Sequence, residues 1–243
     1  CVNFRNDNGE SPLWTASQNG HQSIVSLLIT FGADVNLQEK VTGSSPLYIG
    51  SQYGHCQVVE RLIEAGANVD LQRISGESPI YVASRNGHHH LVKSLIAAQA
   101  SVDLLRNTGQ SPLYIACQNG QRKVVKLLIK GGADVDLRRQ TAQADVNLRE
   151  AVNGCSPVYI ASQNGHYQIV DALINAQADV NQKSNNDRSP LYIAAQNDHH
   201  GVLEVLLKCA CLDRSLHELQ LALNRAREFG SARAAEVLDR TIR

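Results

Sequence analysis

Apolar residues recur along the chain in short runs with helical spacing, and a glycine divides each pair of runs. In the first copy Leu13 and Ala16 precede Gly20, and an apolar-rich run over 24–28 follows it. Apolar residues three or four positions apart predict one face of an α-helix, and a glycine interrupts such a pattern. The pattern therefore predicts a short helix, a tight turn and a second helix in every copy.

A Ser-Pro pair stands where the first helix of each copy is predicted to begin. Ser is a good N-cap, and Pro suits the first helical position because its missing N–H is not needed there. The pairs are Ser11-Pro12, Ser45-Pro46, Ser78-Pro79, Ser111-Pro112, Ser156-Pro157 and Ser189-Pro190, and they contain all six prolines of the chain. A period of about 33 residues indicates a stacked array, in which each unit covers its apolar face with its neighbours.

The segment after each second helix predicts a helix end and an extended connector. In the first copy this segment is Phe31-Gly32-Ala33-Asp34-Val35-Asn36-Leu37, and Gly32 suits a left-handed C-cap. Gln99 takes the place of this glycine in the third copy. A residue other than glycine costs about 0.5–1 kcal/mol there if the left-handed conformation is kept.

These motifs resemble those of ankyrin-repeat proteins, whose repeats have this period and a Thr-Pro-Leu-His-x-Ala core. The match covers nearly the whole chain, with Ser in place of Thr and an aromatic residue in place of His. The aromatic residues are Trp14, Tyr48, Tyr81, Tyr114, Tyr159 and Tyr192. The resemblance implies an all-α solenoid of stacked helix-turn-helix units with hairpin-like connectors. It leaves open the hydrogen bonds that the family's His makes, although a hydroxyl-tipped ring can fill the same half-buried place.

The repeat positions predict the organisation of the chain. We expect the tail of a preceding repeat over 1–5, six repeats over 6–38, 39–72, 73–105, 106–138, 151–183 and 184–214, and a C-terminal capping repeat over 215–243. Residues 139–150 form an insertion that duplicates the connector, because 144–149 nearly repeats 133–138. We favour a protruding surface loop there, and a finger that contacts the partner is the alternative. The chain begins inside a repeat and has no Met, so we expect a fragment of a longer protein.

Composition argues against several classes of partner and setting. Lys and Arg number 23, as do Asp and Glu, so the formal net charge is zero and gives no electrostatic footprint for nucleic acid or anionic membrane. No apolar run approaches the roughly 18 residues of a membrane span. The six cysteines do not share one repeat position, as those of a disulfide framework would. We therefore expect reduced cysteines, a cytoplasmic monomer and a structural role for Cys209 and Cys211.

Candidate chemistry is sparse. The histidines at 88–90 and 199–200 are adjacent in sequence, and adjacent residues on a helix do not converge on one metal ion. The resemblance also explains them, because the family places His just after the glycine between the helices, as at His21, His55 and His166. The sequence contains no phosphate-binding loop and no catalytic constellation. We expect no enzyme activity, no metal, no cofactor and no small-molecule substrate.

The resemblance implies that a partner protein binds a concave face, made of connector tips and the ends of the first helices. The positions that match are Gln18, Asn19, Val41, Gln52, Tyr53, Ile74, Glu77, Arg85, Asn86, Gln118, Asn119, Gln163 and Asn164. The Gln-Asn pairs form a neutral row, which predicts binding through hydrogen bonds with weak salt dependence. The asparagines have an alternative role as helix caps. The main contact is expected at Val41, Tyr53, Ile74 and Arg85, because Tyr and Arg are enriched in binding hot spots.

The resemblance also suggests one modification and leaves three classes of function open. Ankyrin repeats are substrates of an asparaginyl hydroxylase, and Asn36 and Asn181 fit its preference for a Leu eight residues earlier. The leading function is a non-catalytic scaffold for protein–protein interaction. The alternative is the targeting arm of a larger enzyme or receptor whose catalytic part lies outside this chain. Nucleic-acid binding is the third class, and the zero net charge disfavours it.

Overall fold

The computed structural model describes residues 2–138 and 154–243, and these contain fourteen α-helices and no β-strand. The first helices of the pairs are α1 (Pro12–Gln18), α3 (Pro46–Tyr53), α5 (Pro79–Arg85), α7 (Pro112–Gln118), α9 (Pro157–Gln163), α11 (Pro190–Gln196) and α13 (Leu216–Glu228). The second helices are α2 (Gln22–Thr30), α4 (Cys56–Glu64), α6 (His89–Ala97), α8 (Arg122–Lys130), α10 (Tyr167–Asn175), α12 (His200–Lys208) and α14 (Ala232–Ile242).

The Ser-Pro pairs begin the first helices, as predicted. In α7 the Ser111 side chain caps the helix by accepting a hydrogen bond from the Tyr114 backbone N–H at 3.1 Å. The same bond runs from the N–H three residues on in α1, α3, α5, α9 and α11. Since each cap satisfies one otherwise unpaired N–H, it fixes where the helix starts.

The helices form two parallel layers. Each first helix contacts the next first helix, from α1 through α13, and each second helix contacts the next second helix, from α2 through α14. The pairs α7–α8 and α9–α10 also contact each other, so the stack continues directly across the long step in the repeat. The inserted loop predicted at 139–150 lies outside the described residues.

The core is continuous along the stack. In α8 it takes Val124, Val125 and Leu128, which are fully buried or nearly so, and Leu95 and Leu173 hold the matching place in other second helices. The buried apolar residues form one cluster that runs from the first helix pair to the last. Because each pair covers its apolar side with the next, no central core is needed. No helix within 2–138 or 154–243 is long and apolar enough to cross a membrane.

Several helices and turns end at a residue that has the left-handed backbone conformation although it is not glycine. Gln99 has φ 63°, so the conformation expected at this position is kept. Gln177 has φ 65° at the corresponding position, and Asp187 and Asp198 take φ 57° where other copies have glycine. Gln177 is thus a second non-glycine residue at the C-cap position, in addition to the predicted Gln99.

Cys209 and Cys211 form a disulfide, so the expectation of reduced cysteines is wrong for this pair. The reason lies in how α12 ends. Cys209 is extended (φ −69°, ψ 125°) instead of continuing into the usual turn, and this brings the two Cα atoms to 5.4 Å. Cys56, Cys117 and Cys155 are thiols, and burial raises the pKa of the Cys117 thiol well above its ordinary range.

We predict that Gln99→Gly raises the free energy of unfolding by about 0.5 kcal/mol. Glycine removes the steric penalty of positive φ in the folded state, and this gain is larger than the stability lost because glycine has more conformational freedom in the unfolded chain. The matched control is Ala98→Gly, at the adjacent residue with φ −84°. The control should lower the free energy of unfolding by about 0.4–1 kcal/mol. Urea denaturation measures both, and equal losses in the two variants would contradict strain at Gln99.

Candidate partner-binding face

The connector tips and the ends of the first helices lie side by side. Backbone hydrogen bonds join neighbouring tips, because Ile74 N–H donates to Thr42 O at 2.9 Å and Asn107 N–H donates to Ser75 O at 3.2 Å. A cavity of about 360 Å³ opens between the tip at 39–44 and α3. Its walls include Trp14, Val41, Tyr48, Gln52 and Arg73. The structure thus brings Val41 and Gln52, both predicted contact residues, to one cavity.

The aromatic residues of α1, α3 and α5 reach the next connector. Trp14 Nε1 donates to Ser44 Oγ at 3.1 Å, and Tyr48 and Tyr81 donate through their hydroxyls to Glu77 Oε2 at 2.9 Å and Gln110 Oε1 at 3.1 Å. Each acceptor is the residue just before a Ser-Pro pair. These aromatic side chains, which replace the family's His, therefore donate hydrogen bonds to the next unit. This identifies the hydrogen bonds that the sequence left open at this position.

Glu77 differs from the exposed tip residue that the sequence predicts. Its residue exposure is 1%, and its carboxylate accepts hydrogen bonds or ion pairs from four side chains. These are Tyr48 Oη (2.9 Å), Arg73 Nε (2.7 Å), Arg85 Nη1 (3.0 Å) and Arg106 Nη1 (3.4 Å). Removing a carboxylate from water costs several kcal/mol unless cations and donors compensate. Glu77 is buried because this set of partners surrounds it, and it positions three arginines instead of facing solvent.

The tyrosines beneath the arginines are held in the protonated form. Burial, and next the negative charge of Glu77, raise the pKa of Tyr48 well above its ordinary value. The guanidiniums of Arg73 and Arg106 lie over the rings of Tyr48 and Tyr81, 5.4 and 5.7 Å from the centroids. The site therefore combines fixed hydroxyl donors with cations that stack on aromatic faces.

The Gln-Asn row joins adjacent units through its backbone. The carbonyls of Gln18, Gln52, Gln118 and Gln163 lie 3.0–3.3 Å from Nε2 of a histidine in the next helix pair, at His55, His88, His166 and His199. Asn86 Nδ2 also donates to Gln52 O, and Asn119 Nδ2 donates to Arg85 O. Asn19, Asn86, Asn119 and Asn164 are the C-cap residues of their helices. The side chains of Asn19 and Asn164 donate to a carbonyl of their own helix, whereas those of Asn86 and Asn119 donate to the preceding unit.

The comparison with protein families agrees with this architecture. A family model described as ankyrin repeats (3 copies) matches residues 2–73, 66–139 and 139–215. The chain belongs to the ankyrin-repeat family. The resemblance and the all-helical solenoid are thereby confirmed, and ankyrin repeats are in general protein–protein interaction modules. No curated protein matches this ankyrin-repeat chain.

The structure places the other predicted residues of this ankyrin-repeat protein as follows. Val41 and Ile74 are both 67% exposed, and Tyr53 is 51% exposed and stacks on the His55 ring with centroids 6.2 Å apart. Arg85 is partly buried against Glu77. Val41 and Ile74 lie on adjacent connector tips, so exposed apolar surface is available beside the arginines.

Two functional candidates escaped the sequence analysis. Arg73 and Arg106 were not singled out, although they lie 33 residues apart and thus share one repeat position. The repeat template explained their spacing but not their charge. An acidic residue at this position is not a signal by itself, because Glu10 holds it in the first repeat, where Asn6 and Gln18 take the places of Arg73 and Arg85. The signal that could have found them is the combination of Glu77 with these arginines, since the remaining repeats carry Ser44, Gln110, Cys155 or Arg188 at that position.

The two asparagines predicted to be hydroxylated make hydrogen bonds to the next unit. Asn36 Oδ1 accepts from Asn68 N–H at 2.8 Å, and Asn181 Oδ1 accepts from Asp213 N–H at 2.7 Å. An enzyme that modifies either side chain needs the connector to open first. Hydroxylation stays a prediction. In the two described ranges, no group of three or more His, Cys, Asp and Glu side chains could hold a metal ion.

Glu39 stabilises the connector tip beside the cavity. Burial alone would raise the pKa of this carboxyl, but hydrogen bonds from the Thr42 hydroxyl and from the backbone N–H groups of Ser44, Val41 and Thr42 lower it to about 2. The carboxylate therefore stays charged at any physiological pH and holds the tip in one conformation.

We predict that Tyr48→Phe lowers the free energy of unfolding by about 1.5–3 kcal/mol, because it removes a hydrogen bond to a buried charge. The control is Tyr81→Phe, whose hydroxyl donates to the neutral Gln110 amide oxygen at 3.1 Å and accepts only a long bond, of 3.4 Å, from Arg106 Nη1. That variant should lose only about 0.5–1.5 kcal/mol. Urea denaturation at pH 7 compares them, and a larger loss in Tyr81→Phe would contradict the charge-assisted bond to Glu77.

We predict that Glu39→Gln destabilises the fold at pH 6 by about 2–3 kcal/mol, since lowering the pKa from 4.5 to about 2 stabilises the folded state above the unfolded pKa. As pH falls below 4.5, the wild-type protein should lose this advantage, and near pH 2 the two proteins should be equally stable. Denaturation at a series of pH values measures the difference. A gap that does not change between pH 6 and pH 2.5 would exclude the carboxylate as its source.

Proposed function

We propose that this ankyrin-repeat protein is a non-catalytic scaffold that binds a partner protein on its concave face. The observation that carries the proposal is the exposed apolar and aromatic surface at Val41, Tyr53 and Ile74, beside a cavity and a set of arginines. Exposed apolar surface with a polar rim is typical of protein interaction sites. Tyr and Arg are also the residues that most often dominate binding energy.

The Gln-Asn row extends this face along the stack. The backbone carbonyls of the row are used between repeats, so its glutamine side chains are the groups left to meet a partner. Gln118 Oε1 is buried and accepts no hydrogen bond from any described residue. Because this oxygen is buried, contact between Gln118 and a partner would come from the rest of its partly exposed side chain.

The alternative function is a targeting arm within a larger enzyme or receptor. Such an arm would bind its target through the same face, so the experiment below serves both. We further propose a cytoplasmic monomer. The thiols at Cys56, Cys117 and Cys155 support a reducing setting, whereas the disulfide between Cys209 and Cys211 argues against it.

We predict that Tyr53→Ala combined with Arg85→Ala raises the Kd for an isolated partner at least about tenfold, because it removes two hot-spot side chains from the centre of the face. The partner is first captured on the immobilised chain from lysate of the source cells, then purified and measured by calorimetry. The control is Tyr167→Ala, which removes a tyrosine of similar exposure from the second-helix layer.

The control should leave the Kd within about twofold of the wild-type value. Circular dichroism checks that both variants keep their helices. Equal effects of the double variant and the control would show that the partner does not use the concave face.

A further inference from the structure

Three guanidiniums surround one carboxylate in the middle of the concave face. Arg73, Arg85 and Arg106 all lie within 3.4 Å of a Glu77 oxygen. The cluster formed by these four side chains, called the arginine cluster below, therefore has two more positive than negative charges. One arginine would neutralise Glu77, so its burial does not by itself explain the other two.

The Glu77 carboxylate has no lone pair left to accept further hydrogen bonds from the arginines. Two carboxylate oxygens offer about four lone-pair sites. Tyr48 and Arg73 bind Oε2, and Arg85 and Arg106 bind Oε1, so each site has a donor. Three guanidiniums, in contrast, carry about fifteen N–H donors between them. Most of these donors cannot be directed to Glu77.

Other acceptors within the described ranges take few of these donors. Arg73 Nε also donates to Ser75 Oγ at 2.8 Å, and Arg106 Nη1 lies 3.3 Å from Gln110 Oε1 and 3.4 Å from Tyr81 Oη, but both nitrogens are ones that already pair with Glu77. Arg85 donates through Nη1 alone, and that atom binds Glu77. Arg106 Nε is buried and has no hydrogen-bond acceptor. Two acidic residues, Glu10 and Glu39, line the cavity that Arg73 also lines. Glu39 already accepts from Val41, Thr42 and Ser44, and Glu10 accepts from Asn6 Nδ2 at 2.7 Å. The arginine cluster thus has an excess of charge and of donors that the chain does not satisfy.

The arginines are accessible from the concave side. Their side chains are 25–31% exposed, whereas the Glu77 side chain is 2% exposed. A ligand at this place would therefore meet guanidinium groups and not the carboxylate that holds them. Val41 and Ile74 flank the approach from the connector tips, and Arg73 lines the cavity that Val41 and Gln52 share.

We propose that the arginine cluster binds the carboxylate of an Asp or Glu in the partner protein, with apolar residues beside it that pack on Val41 and Ile74. Arginine suits this ligand because its planar fork pairs with both carboxylate oxygens. An arriving carboxylate also offsets the repulsion among the three like charges. The inference rests on the proposed concave-face function and adds the chemistry of the partner to it.

The arginine cluster changes one expectation drawn from the sequence. The neutral Gln-Asn row predicts binding with weak salt dependence. A local surplus of two charges predicts instead that affinity falls as salt screens the pair. The overall charge of zero concealed this surplus, because composition sums charges over the whole chain and a site depends on those within a few ångströms.

The probe for the test is a displayed library of random, unmodified 15-residue peptides, selected on the immobilised full chain. The expected result is enrichment of peptides with an Asp or Glu next to apolar residues. A synthetic copy of an enriched peptide should bind about tenfold more weakly when that acidic residue is replaced by Asn or Gln. Its Kd should also rise severalfold between 50 and 300 mM KCl.

Protein variants locate the contact. Arg85→Gln and Arg106→Gln should each weaken the acidic peptide about tenfold, while Arg73 remains to pair with Glu77. The control Arg122→Gln removes an exposed arginine at the start of α8 and should change nothing. Arg85→Lys should bind the peptide more tightly than Arg85→Gln, because it keeps the positive charge. If Arg85 had only a structural role, the two variants would bind equally weakly. Circular dichroism and thermal unfolding confirm that every variant is folded.

The outcomes separate the inference from the function on which it rests. If the enriched peptides lack acidic residues but lose binding to the Tyr53→Ala variant, the proposal of an acidic ligand is wrong and the concave-face function still holds. Enrichment that Tyr53→Ala does not affect would overturn both. A phosphoserine peptide that binds more than about tenfold better than its Asp counterpart would identify a phosphopeptide ligand and overturn the carboxylate.

Discussion

No helix pair of this ankyrin-repeat protein can cover its own apolar side, and the rest of the structure follows from that constraint. Two helices of seven and nine residues, such as α7 and α8, are too short to be stable in water by themselves. Stacking supplies what they lack, because Leu128 and its counterparts are shielded only when the next pair is in place. Stability therefore comes from interfaces between neighbours, and the surface away from those interfaces is free to vary.

The polar contacts also join neighbouring units. A histidine in one unit lies against a glutamine carbonyl in the unit before, as between His88 and Gln52. The aromatic residues of α1, α3 and α5 reach forward to the next connector. Each contact pairs a polar group with a partner across the boundary between two units. The repeated sequence thus encodes relations between units as much as the units themselves.

The sequence predicted the helices well because local chemistry decides them. A Ser-Pro pair caps a helix wherever it stands, and the positions of α1, α3, α5, α7, α9 and α11 followed from it. The arginine cluster could not be predicted in this way. Glu77 and Arg106 lie in different repeats, and Tyr48 lies in a third, so their meeting depends on how the units stack. The same holds for Cys209 and Cys211, whose pairing depends on the backbone after Lys208. Template matching explained each residue separately and missed what the stack brings together.

One group of departures from the repeat lies where binding is proposed. A buried carboxylate fixes Arg73 and Arg85 from its own unit and Arg106 from the following one, while Tyr48 approaches from the preceding unit. Three successive units are thereby tied at one point, and the guanidiniums are held in place before any partner arrives. Preorganised groups lose less conformational entropy on binding. A regular stack supplies the rigid support, and Glu77 together with its three arginines converts one part of the neutral surface into a positively charged site.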